Sequence, residues 1–288
     1  MQAVKYARAG TVDEAVQILR DTGPGAQVLA GGTDLIVQAR ARLRDVDVLV
    51  DIKGIPEVLT IDFDADAGLT LGAATPCYEI YGHPAVQEHY PCLLDCTTLI
   101  GGTAIQGRAS LGGNLCNAAP SGDAIPAMIV LEGTASVVGP NGTRDVAVED
   151  FCTGPGQNVL EPGEFVVSLH FPPPAPNSGA HFLRFIPRNE MDIAVVNAAS
   201  QIRLDGDTVS WARIAIGATA PTPLLVREAA GALVGQPLND ETIAAAAAAS
   251  KAAARPIDDM RGSIKQRKHL AAVLTQRSLR AAAERARG

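Results

Sequence analysis

Two glycine pairs constrain this chain of 288 residues more than any other feature of its sequence. The first pair, Gly31-Gly32, stands between the short apolar run of residues 28–30 and Thr33-Asp34, and good helix formers follow. Glycine adopts backbone conformations that other residues avoid, so this order predicts a strand, a tight turn and the start of a helix. A helix that begins here leaves amide groups unpaired in its first turn, and such groups attract phosphate.

The second pair, Gly112-Gly113, repeats this chemistry in the segment from Ser110 to Asn114. One glycine pair alone most often marks an ordinary turn. Here, however, each pair has a polar neighbour that can bond phosphate: Thr33 in the first loop, Ser110 and Asn114 in the second. The Rossmann and P-loop glycine patterns are both absent. We therefore expect the two loops to hold the pyrophosphate of one dinucleotide, in a fold of another kind.

Two carboxylates close to these loops have competing interpretations. Asp123 follows the second loop, where it either caps a helix or accepts a hydrogen bond from a ribose or ribityl hydroxyl, and both remain open. Asp34 would repel a pyrophosphate, which favours helix capping for its side chain. The five histidines are scattered and no GxSxG motif occurs, so hydrolytic catalysis has no support.

Composition excludes several classes of protein. A hydrophobic content of 47% argues against disorder, and a formal charge of −7 argues against a nucleic-acid binder. No apolar run is long enough to cross a membrane, and residues 1–6 do not resemble a signal peptide, so we expect a cytoplasmic protein. The five cysteines form no CxxC pair, which predicts free thiols and no metal site in this chain.

Periodicity and turn residues predict an α+β protein. A capping box at Thr11 starts a helix that ends at Gly23, and 103–117 is expected to be a functional loop. Further helices are predicted at 33–43, 75–100 with interruptions, 121–131, 223–234, 241–254 and about 263–287. Strands are predicted at 28–30, 46–52, 59–63, 68–73, 135–138, 144–148, 165–171, 180–186, 194–204 and 208–219. The proline-rich linker 172–177 separates residues 1–176, with subdomains of about 1–56 and 57–176, from residues 177–288.

The two glycine motifs carry a resemblance to a known family. Ala30-Gly31-Gly32-Thr33-Asp34 and Ser110-Leu111-Gly112-Gly113-Asn114 resemble the paired signature of the FAD-binding subunit of molybdenum hydroxylases, the xanthine dehydrogenase and carbon monoxide dehydrogenase family. The likeness extends over nearly the whole chain, through Glu161-Pro162-Gly163-Glu164 and Arg261-Gly262-Ser263. It implies a two-subdomain FAD-binding domain of the vanillyl-alcohol oxidase type, followed by a C-terminal three-stranded sheet with helices.

The resemblance also implies a role for each matched position. The first loop would wrap the pyrophosphate and the adenosine-side ribose, the second would hold phosphate, and Asp123 would contact the flavin's sugar chain. Arg184, with Arg188 as a second candidate, would approach the flavin ring; the alternative for Arg184 is a solvated charge at a strand edge. Relatives often carry lysine at the position of Arg184 and an aromatic ring near Ile193. The implied cofactor-binding residues are Val28, Leu29, Ala30, Gly31, Gly32, Thr33, Asp34, Leu35, Ile100, Ser110, Leu111, Gly112, Gly113, Asn114, Asp123, Val166 and Arg184.

The function that the resemblance implies is electron transfer. A large subunit with a molybdenum cofactor would oxidise the substrate, and a small subunit with two [2Fe–2S] clusters would pass the electrons to FAD in this medium subunit. FAD would then reduce an external acceptor, in a dimer of heterotrimers, with no acid–base residue required from this chain. The alternatives are a stand-alone FAD-dependent oxidase or dehydrogenase, and a non-enzymatic assembly subunit with a degenerate site.

Overall fold

The structure, a computed structural model, describes residues 3–288; the first two residues lie outside the described residues. Its first unit is a small parallel sheet of order β1-β3-β2 with two helices. The elements are β1 (Lys5–Arg8), α1 (Val12–Thr22), β2 (Ala26–Leu29), α2 (Leu35–Arg40) and β3 (Val48–Asp51). The Thr11 hydroxyl accepts a bond from the Glu14 amide and caps α1, as predicted. Strand β1 was not predicted, because it is mostly exposed and lacks an apolar alternation.

Helix α2 is shorter than the predicted span of 33–43. Its first turn is delayed because Thr33 and Asp34 belong to the turn that follows the glycine pair. It ends before Arg42, whose φ of 58° is left-handed and does not continue a helix. Six helical residues therefore stand directly behind the first glycine loop.

The second unit contains a five-stranded antiparallel sheet of order β4-β5-β10-β6-β7, packed against short helices. The predicted helical region before residue 100 is divided because Pro84 and Pro91 each begin a new helix. Contrary to prediction, residues 103–117 are not one loop, since they contain α6 and α7. The elements are β4 (Ile61–Asp64), β5 (Gly68–Gly72), α3 (Cys77–Gly82), α4 (Pro84–His89), α5 (Pro91–Thr97), α6 (Thr103–Gln106), α7 (Leu111–Asn117), α8 (Ala124–Val130), β6 (Thr134–Gly139), β7 (Gly142–Ala147), α9 (Val148–Phe151), β8 (Cys152–Gly154), β9 (Gln157–Asn158) and β10 (Phe165–Phe171).

The third unit is an antiparallel sheet covered by two long helices. The sheet has four strands where three were predicted, because a two-residue strand adds to its edge and pairs Leu225 with Ala215. So short a strand carries no alternation that a sequence pattern could show. The elements are β11 (Ser178–Phe185), β12 (Val196–Asp205), β13 (Thr208–Gly217), β14 (Leu224–Leu225), α10 (Arg227–Gly231), α11 (Asp240–Ala253) and α12 (Ile264–Arg287).

A half-buried carboxylate joins the second and third units. Asp95 on α5 accepts bonds from both terminal nitrogens of Arg285 on α12, at 2.6 and 2.8 Å, and lies 2.8 Å from Nδ1 of His181 on β11. Burial alone would raise the pKa of Asp95, but the bonds from His181 and Arg285 outweigh it and the pKa is lowered. The carboxylate therefore stays charged and holds α5 against β11 and α12. Within residues 3–288, no helix is both long and apolar enough to span a membrane.

Candidate functional site

A cavity of about 460 Å³ lies where the first parallel sheet meets the second unit. This volume falls in the range of small-molecule sites, about 300–1,000 Å³. Both glycine pairs line it, so the structure brings together two segments that are distant in sequence. The predicted site residues that line the cavity are Val28, Ala30, Gly31, Gly32, Thr33, Asp34, Leu35, Ile100, Ser110, Gly112, Gly113, Asn114 and Val166.

The first glycine loop is shaped by contacts that exclude a side chain. Gly32 has a φ of 76°, and a Cβ there would come within 2.8 Å of the Leu29 side chain. A Cβ on Gly31 would collide with the backbone carbonyl of Arg108, just before the second loop. The first loop thus packs, backbone to backbone, against the residue two positions before the second loop. The first backbone bond of the turn runs from the Ile36 amide to the Gly32 carbonyl, at 3.1 Å, which leaves earlier amides to other acceptors.

The second glycine loop is the start of a capped, buried helix. The Ser110 hydroxyl accepts a bond from the Gly113 amide at 3.1 Å and caps α7. A Cβ on Gly112 would collide with the backbone of Ala73 at the end of β5. The Asn114 side chain accepts a bond from the Ala124 amide at 3.2 Å, so it ties α7 to α8. Capping and burial fix this loop independently of any ligand.

The two carboxylates behave differently from each other. Asp34 occupies the N-cap position of α2, but its side chain makes no capping bond, so the capping role predicted for it is wrong. Burial raises the pKa of Asp34. Asp123 likewise makes no side-chain cap on α8. It lies 2.5 Å from Nη1 of Arg184 and accepts a bond from Asn197 at 3.4 Å.

Arg184 is buried, with 5% of its side chain exposed, so its interpretation as a solvated charge is wrong. Burial raises the pKa of Asp123 even though the Arg184 guanidinium opposes that shift. Asp123 and Arg184 form an ion pair between α8 and β11. Neither lines the cavity, and the same holds for Leu29 and Leu111, whose side chains pack in the interior.

Several residues that line the cavity were not predicted. Gln38 on α2 donates to the Asn117 side chain on α7 at 3.1 Å, which links the two halves of the wall. Arg44 donates to the Gln27 side chain at 3.2 Å. Asn117 lies three positions after Asn114 on one helix and could have been found from that spacing. Gln38 and Arg44 had no such signal, since polar residues near a helix end are common on any surface. The predicted Arg188 instead pairs with Asp192 at the surface.

The chemistry of the cavity fits a dinucleotide. Close backbone approaches at Gly31 and Gly112 allow no side chain, and both loops present small residues to the cavity. Apolar groups, including Ile100 and Val166, line other parts of it. Fold and cavity together define a dinucleotide-binding protein of mixed α and β structure that lacks the Rossmann glycine pattern.

Comparison with known proteins gives the family. Residues 2–174 match the FAD binding domain in molybdopterin dehydrogenase, and residues 181–282 match the CO dehydrogenase flavoprotein C-terminal domain. The chain belongs to the family of FAD-binding medium subunits of xanthine and carbon monoxide dehydrogenases. It is thus the flavoprotein subunit of an oxidoreductase, with FAD as its cofactor.

Individual relatives match over almost their full length. The chain is 33% identical over 284 residues to the xanthine dehydrogenase FAD-binding subunit of Escherichia coli O157:H7, covering 98% of this chain and 97% of the relative. It is 31% identical to the carbon monoxide dehydrogenase medium chain of Hydrogenophaga pseudoflava, covering 96% of each. The structure of carbon monoxide dehydrogenase from H. pseudoflava lacking the Mo-pyranopterin moiety superposes with a TM-score of 0.95 at 31% identity, covering 99% of this chain and 98% of that one.

Proposed function

We propose that the cavity binds FAD with its pyrophosphate between the two glycine loops. The observation that carries this proposal is that both glycine pairs line one cavity, with Gly31 packed against the Arg108 carbonyl two residues before the second loop. Backbone amides suit a pyrophosphate because they supply several donors without bulk. The proposed contact set is the one that the resemblance implies, from Val28 through Leu35, then Ile100, Ser110 through Asn114, Val166, Asp123 and Arg184.

The proposed contacts of Asp123 and Arg184 with the flavin differ from those of the loops. In this structure they bond each other rather than line the cavity. Their buried pair fixes β11 against α8, next to Asn197. We retain a ribityl contact for Asp123 and a ring-side position for Arg184 as parts of the proposal. A flavin bound with wild-type affinity after Asp123→Ala, which removes both acceptor oxygens, would remove Asp123 from the contact set.

The residues of this chain would bind and orient the cofactor rather than perform acid–base chemistry. Bound FAD supplies electron transfer to an external acceptor. Glycine amides would hold its phosphates, and apolar groups such as Ile100 and Val166 would exclude water from part of its surface.

The proposed assembly is a molybdenum hydroxylase. A large subunit with the molybdenum cofactor and a small subunit with two [2Fe–2S] clusters would deliver electrons to FAD here, in a dimer of heterotrimers in the cytoplasm. The names of the relatives support a multisubunit enzyme, since they include medium chains and FAD-binding subunits. Residues 1–176 would form an FAD domain of the vanillyl-alcohol oxidase type, and 177–288 the C-terminal domain.

The test is purification of the whole complex through a tag on this chain. We expect a large and a small partner by mass spectrometry, flavin and iron–sulfur absorbance, molybdenum by elemental analysis, and FAD released on denaturation. A lone yellow chain that turns over a substrate would instead favour the stand-alone flavoenzyme. A chain that takes up no FAD would overturn the proposed function.

A further inference from the structure

A buried carboxylate and a lysine stand behind the first glycine loop, outside the cavity lining. Asp51 is the last residue of β3 and pairs with Leu29 across the sheet. Its Oδ1 accepts bonds from the Lys53 ammonium at 2.6 Å and from the Lys53 amide at 2.9 Å. Its Oδ2 accepts a bond from the Tyr6 hydroxyl at 2.6 Å. Three donors thus hold the carboxylate at the end of the parallel sheet.

The Lys53 ammonium also donates to the Ala30 carbonyl at 2.9 Å. Ala30 is the residue that connects β2 to the glycine pair, and both Ala30 and Gly31 line the cavity. In a trans peptide the carbonyl and the next amide N–H share one plane and point in opposite directions. Holding the Ala30 carbonyl from behind therefore fixes the direction of the Gly31 N–H.

We propose that Lys53 is a positioning residue for the FAD pyrophosphate, which it serves by anchoring the Ala30 carbonyl while Asp51 and Tyr6 orient its ammonium group. The inference rests on the proposed FAD site and extends it to residues that do not touch the cofactor. Glycine makes the backbone of the first loop flexible, and a flexible loop loses more conformational entropy when it becomes ordered around a ligand. An external anchor lowers that cost because the loop is already ordered.

The charges around Lys53 agree with this role. The pKa of Asp51 would be raised by burial, but the bonds from Lys53 and Tyr6 outweigh burial and lower it. The pKa of Tyr6 is raised, chiefly by its bond to Asp51. Asp51 is thus charged and Tyr6 protonated around neutral pH, so the bonds that orient the ammonium persist through the range in which an enzyme complex is assayed.

The experiment measures ligand binding to the full-length chain after FAD is removed. Titrations with FAD, ADP and riboflavin compare wild type, Lys53→Met, Lys53→Arg and the control Lys251→Met, an exposed lysine on α11. We expect Lys53→Met to weaken FAD and ADP by about tenfold, the scale of one hydrogen bond to a charged group, and to leave riboflavin unchanged. Lys53→Arg, which can still donate, restores most of the loss, and Lys251→Met binds all three like wild type.

A second variant covers the case in which Lys53→Met does not fold. Tyr6→Phe keeps the ring and removes one bond to Asp51, and we expect FAD and ADP to weaken by about two- to threefold. Wild-type affinity for FAD in Lys53→Met, or an equal loss of riboflavin and ADP, would overturn the positioning role. Failure of the wild-type chain to bind FAD would instead overturn the proposed function, so the two failures are distinguishable.

Discussion

The two glycine loops serve one cavity but are held in different ways. The second is the first turn of a buried helix, capped by its own Ser110 and packed on Ala73. The first precedes a six-residue helix without a side-chain cap, and its support comes from Lys53 on another strand end. Similar local sequences therefore give one loop with its own side-chain cap and one without a cap, whose backbone is bonded by Lys53.

The largest expected effect is at the point where the loops meet. In Gly31→Ala the new Cβ would collide with the Arg108 carbonyl, which is backbone and cannot rotate away. We expect the loops to separate, with loss of FAD binding and about 1–3 kcal/mol of stability, the usual scale for overpacking. Cofactor retention on purification and thermal unfolding measure both. The control is Gly107→Ala, where a Cβ meets open space; if the two variants behaved alike, the loops would not depend on this contact.

An intermediate effect is expected from the cap of the second loop. Ser110→Ala removes the acceptor of the Gly113 amide, which should cost about 1 kcal/mol and weaken FAD, because that turn faces the cavity. Ser263 caps α12 in the same way, away from the cavity. Ser263→Ala should therefore lower the unfolding temperature without changing FAD affinity. Thermal denaturation and FAD titration of both variants measure these effects. An equal loss of FAD affinity in the two variants would contradict a local role for Ser110.

The smallest effect is expected at Asp34, and it depends on pH. Burial raises the pKa of Asp34, so its contribution to stability is full below its unfolded pKa and is lost as pH rises through the raised folded pKa. The charge that appears over the same range repels phosphate. FAD affinity should thus fall modestly as pH rises through that pKa, and Asp34→Asn should abolish the trend. Titrations across acidic pH measure it; an unchanged trend in the variant would show that another group is responsible.

Local sequence predicted the first loop better than the second. Residues 28–40 predicted a strand, a turn and the start of a helix, and β2 and α2 are found there. Residues 110–114 were instead interpreted as part of an irregular loop, and the Ser110 cap of α7 was not predicted. The bond from Lys53 to the Ala30 carbonyl could not be predicted from local sequence, because nothing in the spacing of Asp51 and Lys53 shows that they lie near Ala30. The ion pair of Asp123 and Arg184 crosses 61 positions and depends on how β11 packs on α8.

Contacts between residues that are distant in sequence also explain the errors in the predicted secondary structure. Aspartate is a common helix cap, which is why Asp34 was predicted to be one. The turn that precedes it determines its backbone conformation, and its side chain makes no capping bond. Residues 103–117 look irregular because glycine is a poor helix former. Their two short helices form because Ser110 caps one of them and tertiary packing covers Leu111 and Leu115.

The carboxylate of Asp95 sets an order of events during synthesis. Its bidentate partner, Arg285, follows it by 190 positions and lies in the last turn of α12. At a ribosomal rate of about 5–20 residues per second, that interval lasts roughly ten to forty seconds. Throughout it, Asp95 lacks the partner that bonds both of its carboxylate oxygens. Removal of the last turn of α12 would leave α5 without this partner, so residues at the end of α12 govern how the middle of the protein is completed.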